Sequence, residues 1–244
     1  MSDFRKGEVL LIRKPLTWTS FQVVNKLKWL IKNYEKKLGQ MSDVGRLTSN
    51  IKIGHAGTLD PLATGLLIVC TGKETKNIEK YQAQEKEYTG TFFIGATTPC
   101  FDLEKPVDKT YPIEHVTDKM IHGAAKKFTG TIQQTPPLFS AIWIDGKRAY
   151  DIARAGKTAE IKPKEITISE FEITRIALPE VDFRVVCSKG TYIRSLARDF
   201  GEELKSGAHL TALCRTRIGD YKLGNAMSIE EFEEGLKGEI PSNV

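Results

Sequence analysis

The sequence predicts an α+β fold, and three observations carry that prediction. Period-two apolar alternation, clearest at Val181, Phe183, Val185 and Cys187, marks strands, while apolar residues three and four apart mark helices, as at Ile193, Leu196, Ala197, Phe200 and Leu204. The two kinds of segment are mixed without the regular strand–helix–strand rhythm of a doubly wound parallel sheet. No internal repeat, low-complexity tract or Pro/Gly/Ser-rich linker divides the 244 residues, so a single domain over 1–244 is expected.

In order along the chain, residues 7–13 (GEVLLIR) read as a buried strand. Thr19 or Ser20 can cap a helix whose apolar stripe is Phe21, Val23, Val24, Leu27, Leu30 and Ile31. Residues 33–52 read as a polar, basic insertion. A turn punctuated by Gly and Pro (54–65, GHAGTLDPLATG) leads into a strand near 65–71, and a further strand is expected over 87–95. A helix fits 115–128. Residues 131–146 cannot form one helix, because Pro136 and Pro137 would break it. A short helix fits 147–155, a strand pair 165–176 and 181–188, and a helix follows from Ile193. Residues 225–244 read as a short acidic tail, with five Glu against Lys237.

Apolar residues make up 40% of the chain and charged residues 27%, as in a soluble globular protein. No apolar run is long enough to cross a bilayer, and charge interrupts the first residues as it would not in a secretory signal. The four cysteines (Cys70, Cys100, Cys187, Cys214) lie far apart, without the spacing of a zinc ribbon, a thioredoxin-type site or a disulfide framework, so a reducing, cytoplasmic location is expected. The net charge of +5 is concentrated in residues 26–52, where Lys26, Lys28, Lys32, Lys36, Lys37, Arg46 and Lys52 face only Glu35 and Asp43. That asymmetry suits a polyanion, or a solvated helix face.

The chemistry-bearing residues fall in two clusters. In 54–65, Gly and Pro confine the backbone, and Asp60 precedes Pro61, which biases it toward an extended conformation. A carboxylate fixed on such a loop before a buried strand suits a nucleophile or a base, although an Asp can equally cap a turn. In 187–199 (CSKGTYIRSLARD), Tyr192 and Arg194 stand where a strand gives way to a helix. Arg194 can hold a carboxylate bidentately, or pair with Asp199 or Glu202 on its own helix. Tyr88, opening a strand, can stack on a base or sit in the core. There is no Walker A or Gly-x-Gly-x-x-Gly pattern, no Gly-x-Ser-x-Gly elbow and no histidine pair at metal-ligand spacing, so no nucleotide cofactor and no metal are expected.

Five collinear stretches together resemble the TruB family of tRNA pseudouridine synthases: 10–24 (LLIRKPLTWTSFQVV), 54–76 (GHAGTLDPLATGLLIVCTGKETK), 134–154 (QTPPLFSAIWIDGKRAYDIAR), 187–204 (CSKGTYIRSLARDFGEEL) and 207–219 (GAHLTALCRTRIG). The resemblance covers most of the chain. It implies the pseudouridine synthase fold, a mostly antiparallel mixed sheet flanked by helices with an RNA-binding cleft. It also implies isomerisation of the uridine at position 55, in the T-arm loop of tRNA, to pseudouridine, without a cofactor, by a monomer.

The resemblance also assigns roles. Asp60 falls on the catalytic aspartate, Arg194 on the arginine that pairs with it, and Asp102 on an acidic residue engaging that arginine. Tyr88 matches the aromatic packed on the flipped uracil; Tyr192 and Leu213 line the pocket, and His55 enters the T loop. Lys76 and Arg215 match phosphate or sugar contacts, Lys14 and Pro15 a support for the catalytic loop, and residues 129–157 a loop and helix that clamp the RNA. Three departures stand out. Residues 33–52 are longer than the usual connection, residues 97–102 (TTPCFD) keep only Asp102 of a more charged pattern, and the end of the chain is too short for a C-terminal PUA-type domain. The alternatives are a synthase acting on other RNA, and an RNA-binding or tRNA-folding factor without turnover.

Overall fold

A computed structural model describes residues 3–41, 51–140, 142–144 and 146–239. Its elements, in chain order, are β1 (Val9–Lys14), α1 (Ser20–Met41), β2 (Ile53–His55), β3 (Ala63–Thr71), a 3₁₀ turn (Gly72–Asn77), α2 (Ile78–Ala83), β4 (Lys86–Ile94), β5 (Ala96–Thr97), β6 (Lys109–Thr110), α3 (Asp118–Phe128) and β7 (Gly130–Gln134). There follow β8 (Trp143–Ile144), β9 (Lys147–Arg148), α4 (Ala149–Arg154), β10 (Lys164–Ala177), β11 (Glu180–Cys187), α5 (Ile193–Glu203), β12 (Ala208–Ile218), β13 (Tyr221–Lys222) and α6 (Ile229–Gly238). The fold is α+β, as the sequence predicts. The chain groups into two compact units, one made of residues 1–84 with 214–244, the other of residues 85–213.

The first unit is built on β3. Its run Leu66–Cys70 is apolar at every position because both faces are covered. Leu67 and Val69 join Ile12 of β1, Val23, Leu27 and Ile31 of α1, and Ile229, Phe232 and Leu236 of α6 in one core. Leu66, Ile68 and Cys70 point the other way, toward Tyr81 and Ile218. β1 and β2 both pair antiparallel with β3, in registers that set Ile12 against Leu67 and His55 against Val69.

Two sequence expectations change here. Residues 33–41 do not open an insertion: they continue α1, because Tyr34 extends the buried stripe. Residues 42–50 of that expected insertion lie outside the described residues. Phe21, placed on the stripe, is 68% exposed, while Ser20 beside it is buried. The acidic end is not a tail up to residue 239. α6 begins with a capping box, Ser228 Oγ accepting from the Glu231 N–H and the Glu231 carboxylate accepting from the Ser228 N–H. Glu230, Glu231 and Glu234 are exposed, away from the stripe Ile229, Phe232 and Leu236, whereas Glu233 is half-buried and pairs with Lys26 of α1.

The second unit is an antiparallel sheet. β11 pairs with β4 and β10, and β10 pairs with β7, so the expected strands at 165–176 and 181–188 form one hairpin. The first half of β12 lies so close to β4 that a Cβ at Gly90 would meet the Ala212 carbonyl at 2.5 Å. One face is covered by α5 and α3. Phe92 stacks on Phe183 with ring centroids 4.2 Å apart and touches Phe200 of α5 at 5.1 Å. The segment expected to clamp RNA, 129–157, begins not as a loop but as β7.

Phe232 is buried and meets Phe4 edge-to-face at 6.0 Å. Phe232→Ala is expected to lower the unfolding free energy by ~3–5 kcal/mol in urea titrations. A loosely attached acidic tail would give no measurable change.

Candidate active site

In the first unit the loop between β2 and β3 carries Asp60. The backbone leaves His55 by way of Ala56, whose N–H bonds the Ile68 carbonyl, and turns at Gly57, where φ is +99°. The Ala63 N–H closes a tight turn on the Asp60 carbonyl at 3.1 Å. Ser20 clamps the residue before Asp60 from both sides: its hydroxyl accepts from the Leu59 N–H at 2.9 Å and donates to the Leu59 carbonyl at 3.2 Å. The cap of α1 therefore falls to Thr19, which accepts from the Gln22 N–H. Ser20, read from the sequence only as a possible cap, is a site-building residue.

Lys14 is the chief fastening. Its side chain is 0% exposed, and its ammonium donates to the carbonyls of Pro15 at 2.9 Å, Trp18, and Pro61 at 3.3 Å. The Pro61 carbonyl also accepts from the Thr17 N–H at 2.9 Å, so the β1–α1 connection, with Pro15 in it, is tied to the loop one residue past Asp60. Burial pushes the Lys14 ammonium down to about 8; the Asp60 carboxylate works against that shift, and Arg215 works with it.

Arg215 departs from its expected role. It is 1% exposed, and its guanidinium donates to the Leu66 carbonyl at 2.8 Å and the Gly57 carbonyl at 3.0 Å. A buried guanidinium committed to backbone carbonyls braces the Asp60 loop rather than meeting a phosphate. The backbone there leaves no room for adjustment, since a Cβ on Gly65 would lie 2.3 Å from the Arg215 carbonyl oxygen. His55 is half-buried. Burial first, then the Arg215 charge, hold its imidazole below the usual 6.5, against a hydrogen bond with the Gly57 backbone. Its Nδ1 is buried without a partner among the described residues. Lys76 is exposed and borders a cavity of about 360 Å³ with Arg5, Lys52, Lys73 and Thr75.

The second unit holds the other candidates. Arg194, buried in the first turn of α5, donates to the Cys100 carbonyl at 3.2 Å and the Phe139 carbonyl at 2.9 Å, and its Nε lies 3.7 Å from Asp102 Oδ2. Of the two carboxylates on its own helix that the sequence offered as partners, Asp199 accepts from Arg198 at 2.7 Å. Asp102 is also buried, and one oxygen accepts from the Glu104 N–H at 3.0 Å. Its carbonyl receives Thr98 Oγ1 at 2.6 Å. Phe101, with φ +64°, is held by Leu210 N–H on its carbonyl, which fixes the turn that presents Asp102.

Tyr192 caps α5 and is set by Gln134, whose amide accepts from the Tyr192 N–H at 2.8 Å and donates to its carbonyl at 3.1 Å. Gln134 is buried, and nothing in the sequence beyond its motif points to it. Tyr88 is buried on β4 opposite Val185, and Leu213 is half-buried on β12. Thus Asp60, Lys14, Pro15, Arg215 and His55 are brought together in the first unit, and Arg194, Asp102 and Tyr192 are fixed around α5 in the second. Among the described residues no group of three or more His, Cys, Asp or Glu could hold a metal ion.

The family described as "TruB family pseudouridylate synthase (N terminal domain)" matches residues 45–193, and "tRNA pseudouridylate synthase B C-terminal domain" matches residues 194–239, a span that includes α6. The chain is 60% identical to a tRNA pseudouridine synthase B of Flavobacterium johnsoniae, over 96% of this chain and 98% of the relative. It is 56% identical to one of Phocaeicola vulgatus, over 96% and 95%. Among solved structures it resembles a chain in the crystal structure of a Cbf5-Nop10-Gar1 complex, with a TM-score of 0.68, 27% identity, and coverage of 95% of this chain and 54% of that one. It spans about half the length of that solved chain.

Lys14 supplies a titration to test. Between about 8 and its ordinary 10.5, the unfolded chain carries a proton on Lys14 that the native chain lacks, so this group makes stability rise with pH across that window. Lys14→Met is expected to lack that rise, read as a smaller gain in unfolding free energy between neutral pH and pH 10.5 in urea titrations.

Proposed function

Because this chain belongs to the TruB family of pseudouridylate synthases, we propose that it converts the uridine at position 55, in the T-arm loop of tRNA, into pseudouridine, with Asp60 as the catalytic carboxylate. The tRNA assignment rests on the names carried by its relatives over nearly their whole length. The observation that carries the role of Asp60 is the way its loop is fastened, with Lys14, Ser20 and Arg215 all spending buried polar groups on backbone within a few residues of it.

The reaction is an isomerisation. The N1–C1′ bond of the uridine breaks, the uracil turns, C5 bonds to C1′, and the proton leaving C5 is balanced by one gained at N1. Positive charge builds on the sugar as the first bond breaks, and a carboxylate held against it stabilises that charge. The Asp60 carboxylate either bonds C1′ directly or takes the C2′ proton to give a glycal. Both routes need the nucleotide out of its stack. Tyr88 packs on the everted uracil, a contact worth ~1–3 kcal/mol. Tyr192 and Leu213 shape the pocket, His55 enters the loop, and Arg194, oriented by Asp102, pairs with the reacting carboxylate. Lys76, on the rim of its basic cavity, takes a backbone phosphate.

Asp60→Asn is expected to abolish pseudouridine formation on an unmodified tRNA transcript while leaving tRNA binding largely in place. The check is mapping of pseudouridine in the transcript, without added metal or nucleotide. Product at the wild-type rate would overturn the assignment.

A further inference from the structure

α1 starts at the Asp60 loop, through the Ser20–Leu59 clamp, and runs 22 residues away from it, about 33 Å. Its outer face is unusual in two respects. Trp29 is 55% exposed, and Lys28, Lys32 and Lys36 follow at four-residue steps of about 6 Å. Lys28, Lys32, Lys36 and Lys37 have no ion-pair partner among the described residues, whereas Lys26 and Lys237 both engage Glu233, at 3.8 and 3.2 Å. The acidic groups nearest the cavity are thus already engaged, Glu233 by these two lysines, Glu239 by the Tyr34 hydroxyl at 2.7 Å and Glu35 by Arg5 at 2.8 Å.

Between α1 and α6 lies a cavity of about 330 Å³. Buried Leu30, Tyr34 and Leu236 form its floor, the Trp29 indole borders it, and Lys36 and Lys37 stand on its rim. The Lys26 ammonium sits over the Trp29 ring, 4.7 Å from the centroid, and steadies it. An exposed ring beside a shallow apolar floor, edged by uncompensated ammonium groups, is the chemistry that takes a nucleobase and its phosphate. An acidic peptide would satisfy the lysines but would leave the planar ring and the floor without a matching group.

We infer that the outer face of α1 is a second RNA contact: an unpaired nucleotide of the substrate stacks on Trp29, and its flanking phosphates lie on Lys36 and Lys37. Trp29 is nine residues beyond Ser20, about 14 Å along the helix, so the bound nucleotide belongs to a part of the RNA outside the target position. The inference rests on the reading of this chain as an RNA-modifying enzyme and extends it to where else the substrate is held.

The test uses the full chain and an unmodified tRNA transcript. RNA should quench tryptophan fluorescence in the wild type by more than in Trp29→Phe, the difference being the Trp29 signal. Trp29→Ala should weaken binding about 5- to 150-fold, the range of a lost base–aromatic stack. The double variant Lys36→Gln, Lys37→Gln should lower the slope of log affinity against log salt by about two units, one per lost phosphate. Equal quenching in wild type and Trp29→Phe, with an unchanged salt slope in the double variant, overturns the inference. Pseudouridine mapping on the same transcript reads the catalytic assignment separately: quenching through Trp29 without product would sink that assignment and uphold this contact, and product with no Trp29 signal and no slope change would do the opposite.

Discussion

An ammonium group that water does not reach must find its hydrogen bonds in the protein, and Lys14 finds three on backbone carbonyls around Asp60. Everything else in the first unit's site follows from that fastening. Leaving a buried charge without partners costs several kcal/mol, so the carbonyls of Pro15, Trp18 and Pro61 are held where the ammonium can reach them. Since Pro61 follows Asp60 directly, holding one places the other. The end of β1, the start of α1 and the Asp60 loop become a single knot tied on one nitrogen, and Ser20 and Arg215 tighten it from two further directions.

The same economy of buried polar groups appears in the second unit. Arg194 and Asp102 are both buried, and neither depends wholly on the other: the arginine also bonds two carbonyls, and the aspartate a backbone N–H. Their ion pair at 3.7 Å joins two groups that backbone already holds in place. Such a guanidinium keeps its orientation, because partners on two separate stretches of chain hold it.

How much of this was legible in the sequence depended on whether the signal was local. The Asp60 loop showed as a turn because Pro61 fixes its own φ and Gly57 and Gly65 allow the positive φ they adopt, while the role of Asp60 came from the resemblance. The length of α1 did not, because the lysines after Ile31 mask the stripe that Tyr34 continues. α6 looked like a tail because its glutamates outnumber Ile229, Phe232 and Leu236, although the spacing of Ser228 and Glu231 already spelled a helix start. Arg215 took its expected phosphate or sugar contact from the resemblance, and only burial shows that its partners are carbonyls of its own chain. Gln134 and Ser20 gave no signal apart from their motifs: an amide or hydroxyl acquires a role only from what the fold brings beside it.

The first unit is assembled from two separate stretches, with α6 completing the core that β1, α1 and β3 begin. The second unit is a single uninterrupted stretch between them. During synthesis, then, the stretch bearing Arg194 can be finished while the platform for Asp60 still lacks its closing helix, and the exposed undersides of α1 and β3 must wait on the ribosome for residues some 150 positions downstream. A nascent chain of this kind carries an open hydrophobic seam for most of its translation, closed only when Ile229, Phe232 and Leu236 arrive.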